Sequence, residues 1–72
     1  MSKLPLLSWR EVVKALEKAG FQGARQKGSH LILVKSECIV PVPKREQIKR
    51  GLLMAIIAES GLTKEEFLRR LK

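Results

Sequence analysis

Apolar residues at Trp9, Val12, Val13 and Leu16 recur at i, i+3, i+4 and i+7, which is one face of a helix, while Lys14, Glu17 and Lys18 fall on the other side. Ser8 precedes this run and Glu11 follows three residues later. That spacing makes a capping box, in which hydroxyl and carboxylate each accept a backbone amide left free by the helix start. Gly20 follows Ala19 where a left-handed terminating residue is needed. A first helix is therefore predicted from Trp9 to Ala19, with Pro5 keeping the segment ahead of it extended. From Phe21 to Val42 the pattern turns to strands. Phe21 to Lys27 reads as a weak strand, and Gly28 supplies a tight turn. Leu31 to Val34 is a continuous apolar run suited to a central strand. Lys35, Ser36 and Glu37 read as a hairpin connection leading into a third strand, Cys38 to Val42. Pro41 and Pro43 lack an amide hydrogen, so this strand should lie at an edge or finish near Pro41.

A second helix is centred on Leu52 to Glu59, with Ile48, Leu52, Leu53, Ile56 and Ile57 apolar and Gly61 stopping it. Thr63 opens a third, short helix, with Glu66 completing a second capping box. Phe67, Leu68 and Leu71 face inward there, and Arg69, Arg70 and Lys72 suit its carbonyl end. Three short strands in succession imply an antiparallel meander. The order helix, three strands, helix, short helix describes an α+β two-layer sandwich, with a three-stranded antiparallel sheet and the helices on one face. No repeat, linker or low-complexity stretch interrupts it, and 72 residues allow one domain, 1–72.

Charge narrows the partners. Fifteen Lys and Arg against seven Glu give a net charge of +8. Residues 21–50 alone carry seven cations (Arg25, Lys27, Lys35, Lys44, Arg45, Lys49, Arg50) against Glu37 and Glu46. A basic excess within a folded segment favours a polyanion, of which nucleic acid is the commonest. Other chemistries fall away on inventory. One Cys (Cys38) and one His (His30) cannot build a four-ligand zinc site. The chain has no Asp, and its scattered Glu residues do not form the carboxylate cluster of a two-metal nuclease. A lone cysteine, read as a small buried filler, suits a reducing cytoplasm. No apolar run approaches a membrane span, and the first residues do not read as a signal peptide. No cofactor is implied.

His30 is the one side chain whose type moves protons near neutrality. Period-two alternation puts it on the face of Ile32 and Val34, at the start of the apolar strand beside the Gly28 turn. Both faces are apolar further along, so alternation alone does not decide its exposure. Three readings stay open: a surface or capping histidine without a task, a side chain that stacks on or hydrogen-bonds a base in a passive RNA-binding module, and a general acid or base acting on RNA through the ribose 2′-hydroxyl. The third needs cations to neutralise the phosphorane-like charge, and Arg25 and Lys27 are near in sequence. Trp9 keeps helical spacing and reads as a core residue.

Gln26-Lys27-Gly28-Ser29-His30, the strand after it, Val40-Pro41-Val42-Pro43 and Ile48-Lys49-Arg50-Gly51 leading into an Ile-rich helix resemble the HicA toxin family of bacterial toxin–antitoxin systems. Leu4-Pro5-Leu6-Leu7-Ser8, Ala19-Gly20-Phe21 and Gly61-Leu62-Thr63 before Glu65-Glu66-Phe67 agree with it. The similarity spans essentially the whole chain. It implies a fold similar to the double-stranded-RNA-binding domain and an mRNA interferase, a metal-independent endoribonuclease that arrests translation. The family's catalytic histidine falls on His30 and its neighbouring glycine on Gly28. Lys27, Ser29, Arg25, Lys49 and Arg50 become candidates for RNA contact, and a HicB-like antitoxin that covers the active face becomes the expected protein partner. Two departures bear on RNA preference and cleavage. Leu52-Leu53-Met54 stand where many relatives carry Thr and then a basic residue, and Lys44-Arg45 stand where Asn or His often follows the Val-Pro segment.

Overall fold

Ser8 opens α1 (Trp9–Lys18) with both halves of its box in place. Its amide donates to Glu11 Oε1 at 3.0 Å, and the Glu11 amide donates to Ser8 Oγ at 3.4 Å. The computed structural model describes residues 6–71; Leu4 and Pro5 of the expected extended leader, and Lys72, lie outside them. The chain then forms β1 (Gln22–Lys27), β2 (His30–Lys35), β3 (Cys38–Pro43), α2 (Arg50–Ser60) and α3 (Lys64–Arg69). The sheet is an antiparallel meander in the order β1-β2-β3. This is the α+β arrangement that the sequence pattern implies.

Parity within the sheet explains where the helices sit. Leu33, Val40 and Val42 are fully buried and Leu31 packs partly against them. These residues share one face, and α1 and α2 pack on it through β3. Val12 and Leu16 of α1, Leu53 and Ile56 of α2, and Phe67 of α3 complete the core. Each such side chain contributes about 1.5–3 kcal/mol on leaving water. Among the described residues, no helix lies over the opposite sheet face.

Several boundaries differ from the sequence reading. Phe21 is buried in the core but precedes β1, which begins at Gln22. Ile48 is not helical; it is buried in an isolated bridge to Leu7, before α2 begins. Trp9 and Cys38, expected as a core residue and a buried filler, are half-buried and pack against the core. β3 runs on to Pro43 along the sheet edge. Counted from the two-residue turn between Lys35 and Cys38, Pro41 and Pro43 fall at positions whose backbone points away from β2, so the missing amide hydrogens cost no ladder bond.

Lys35 has a task that its loop position hid. Its Nζ donates to the Ala19 carbonyl at 2.6 Å, satisfying an oxygen at the end of α1. Gly61 ends α2 in the left-handed conformation at φ 78. Thr63 and Glu66 cap α3, and the hydrogen bonds from Thr63, its backbone amide first, hold the Glu66 carboxyl below its ordinary value.

One turn residue carries strain. Ser36, first of the two residues joining β2 to β3, sits at φ 53. Left-handed backbone costs a residue with a Cβ about 1–2 kcal/mol, against about 0.4–1 kcal/mol of unfolded-state entropy that glycine adds. The strain outweighs the entropy. Ser36→Gly should therefore raise stability by roughly 0.5–1 kcal/mol, read as a thermal midpoint a few degrees higher. An unchanged or lower midpoint would contradict it.

Candidate functional site

The face of the sheet turned away from the helices can be laid out in rows from the strand register. Lys27, His30 and Pro43 form one row; Arg25, Ile32 and Pro41 the next; Gln22, Val34 and Ile39 the last. A bulge between Gly23 and Arg25 breaks the alternation of β1, and it puts Gln22 on the same side as Arg25. His30 thus stands on the central strand at one end of the open face. Lys27 is its direct partner on β1, where opposed residues have Cβ atoms about 4.5–5.5 Å apart, and Arg25 is its diagonal neighbour at about 7–8 Å.

Gly28 and Ser29 make the two-residue turn that joins Lys27 to His30. Gly28 has φ 60 and Ser29 is not in the positive region, the pattern of a type II′ turn with glycine at its first position. Such a turn matches the twist of the strands and brings Lys27 and His30 opposite one another. His30, Lys27, Arg25, Gly28 and Ser29 are all exposed. Among the described residues, no hydrogen bond or ion pair engages the His30 imidazole, and no carboxylate pairs with Arg25 or Lys27. The ring is open to solvent, and the two cations stand unpaired there for an incoming anion.

Lys49 and Arg50 lie apart from this hairpin in the chain. Lys49 is the N-cap of α2, without a side-chain capping bond, and Arg50 is its first residue. Both are exposed, and among the described residues no hydrogen bond ties them to the His30 turn. Of the two departures, Leu53 is fully buried in the core, Leu52 half-buried and Met54 exposed. Lys44 lies against the turn itself: its backbone amide donates to the Ser29 carbonyl at 2.8 Å.

Beside the cations the open face is apolar. Ile32, Val34 and Pro41 are half-buried and Ile39 is 61% exposed. Sequence alternation groups Ile32 and Val34 with His30 but does not reveal that this face lacks a cover. Among the described residues, no three His, Cys, Asp or Glu side chains gather where they could hold a metal ion. No helix there is long and apolar enough to cross a membrane.

Fold and site together define a small basic α+β domain, with a solvent-facing histidine and paired cations on an open sheet. A family model described as the HicA toxin of bacterial toxin–antitoxin matches residues 9–62, three quarters of the chain. The chain belongs to the HicA toxin family, and that membership implies an antitoxin partner. No match was found among curated proteins.

Proposed function

We propose that this toxin is a metal-independent endoribonuclease, an mRNA interferase, in which His30 acts as general acid or base on the ribose 2′-hydroxyl and phosphate. The observation that carries the proposal is the row Lys27–His30 with Arg25 diagonal to it, on a face open enough to admit a nucleic-acid strand. RNA supplies its own nucleophile. His30 takes the 2′-hydroxyl proton, the 2′-oxygen attacks phosphorus, and the bond to the 5′-oxygen breaks. The products are a 2′,3′-cyclic phosphate and a 5′-hydroxyl, whose proton comes from water or from the imidazolium. Lys27 and Arg25 offset the charge that builds on the phosphorane oxygens. Lys49 and Arg50 extend the phosphate contacts, and Gly28 and Ser29 present their exposed turn to the strand.

The reading is tested by mixing purified protein with RNA in EDTA. Fragments ending in 2′,3′-cyclic phosphate are expected; RNA left intact would sink the nuclease reading. Lys27→Ala and Arg25→Ala should each weaken RNA binding. They should also lower the salt slope of log affinity by about 0.7, the value for one phosphate contact on a single strand. A slope unchanged in both would remove them from the interface.

The second reading, a non-catalytic RNA-binding module, draws on the same cations and on the exposed apolar residues, which offer a surface for unstacked bases. A HicB-like antitoxin is the proposed protein partner. Ile39 and its apolar neighbours next to Arg25 suit a partner that buries them and places carboxylates on the cations, thereby excluding RNA. Action on mRNA places the toxin in the cytoplasm.

A further inference from the structure

The turn that carries His30 is exposed and has no packing of its own, since a Cβ placed on Gly28 would meet nothing within 4 Å. Beyond the pairing of β1 with β2, two side chains hold it. Gln26 faces away from His30 in the register, opposite Leu31. Its Nε2 donates to the Gly28 carbonyl at 3.2 Å, and its Oε1 accepts from Lys44 Nζ at 2.5 Å. The Lys44 backbone amide closes the loop by donating to the Ser29 carbonyl. Both peptide oxygens of the turn are therefore bound, one through Gln26 and one by Lys44.

Lys44 is itself anchored to the helical layer. Its ammonium lies 5.1 Å from the centroid of the Trp9 ring, which Arg10 also flanks at 4.8 Å. The Trp9 amide donates to the Arg45 carbonyl at 3.0 Å, holding the residue after Lys44 against the start of α1. A cation over an indole is drawn to the negative face of the ring. The path runs from the rigid helix start through Trp9, Lys44 and Gln26 to the peptide oxygens beside His30.

We propose that Gln26 and Lys44 are positioning residues: they fix the Gly28–Ser29 turn from the side opposite the imidazole, and so set where His30 is presented. Neither touches the reacting atoms. The kinetic consequence rests on the RNA-cleaving reading, whereas the structural consequence stands without it. Misplacing a reacting group by about 1 Å can cost about 100-fold in rate, so a loosened turn should lower turnover far more than affinity.

The test compares Lys44→Met, Gln26→Leu, the double variant and Lys44→Arg with the wild-type chain. Amide relaxation of residues 28–30 is expected to show order parameters falling from about 0.85 to below about 0.6 in Lys44→Met and Gln26→Leu, with the β2–β3 hairpin unchanged. RNA cleavage should lose about ten-fold in kcat with KM held within about two-fold. The double variant should be little worse than either single one, because both break the same path. Lys44→Arg, which keeps a donor and a cation over the indole, should recover most of the order and the rate. Unchanged order at residues 28–30 in both single variants would overturn the proposal. So would a Lys44→Met effect confined to KM and absent from Gln26→Leu, which would make Lys44 a phosphate contact instead. If the wild-type chain leaves RNA uncut, the nuclease reading falls, and the relaxation data still decide whether the brace exists.

Discussion

Replacing His30 with alanine is expected to lower RNA cleavage by about 10²–10⁴-fold, the range that a positioned proton-transfer group supplies. The protein should still fold. His30 is exposed and its imidazole binds nothing among the described residues, and exposed positions of this kind shift stability by no more than about 0.5 kcal/mol. RNA affinity should stay within a few-fold, because Arg25, Lys27, Lys49 and Arg50 retain their charge. Expression of the variant should no longer arrest growth. Three measurements are made together: product formation in EDTA, binding at two salt concentrations, and thermal unfolding. Lost cleavage with retained binding and midpoint supports His30 as the proton-transfer residue. RNA decay equal to wild type would favour the passive RNA-binding module.

The second large effect concerns stability. Among the described residues, Phe67 is the largest fully buried side chain, yet it comes from α3, six residues long and beyond the segment matched by the family model. A helix this short does not persist on its own propensity. It is held by the Thr63–Glu66 box and by Phe67, which is fully buried in the core where α3 meets α1 and α2. Phe67→Ala should cost about 3–5 kcal/mol. A chain of this size has roughly 4–11 kcal/mol of total stability, so the variant should be unfolded for a measurable fraction of the time at room temperature. Phe67→Leu keeps much of the apolar volume and should cost less than half as much. Urea titration distinguishes these outcomes through the midpoint at constant slope. A loss under about 1 kcal/mol for Phe67→Ala would mean that α3 is not part of the core.

Most of the fold is legible in short-range chemistry. Ser8 with Glu11 and Thr63 with Glu66 start helices wherever they stand at that spacing, because the amides they accept belong to the same turn. Gly28 between two strand-forming runs makes a hairpin for an equally local reason. The sheet order follows, since short links leave consecutive strands no choice but to pair. Ends were less legible. Ile48 has the spacing of α2 but is drawn into a bridge with Leu7, and Phe21 has strand character but is spent in the core. Both are cases of long-range burial outweighing local pattern.

Of the candidate site, Lys27, Gly28, Ser29 and His30 are consecutive, and the hairpin alone places them together. Arg25 joins them because β1 keeps its two-residue period past the bulge. Gln26 and Lys44 each stand in segments the sequence singles out, but their contact is not legible there, for they lie 18 residues apart and meet only when β3 returns beside β2. A glutamine two residues ahead of a turn glycine is a faint local signal; Lys44 reads only as one more cation of the basic segment. Lys35 was equally hidden, because the Ala19 carbonyl it binds is 16 residues away.

By itself, then, the amino-acid order determined the caps, the turns, the antiparallel meander, the basic middle segment and the one imidazole able to move a proton. These depend on interactions within a few residues or on composition. Tertiary structure alone decided which sheet face the helices would cover. β2 is apolar on both faces, so alternation is blind to that choice, and it is resolved by α1 and α2 packing on β3, which brings Val12, Leu16, Leu53 and Ile56 into one core with Leu33, Val40 and Val42. That packing leaves His30, Lys27 and Arg25 facing water.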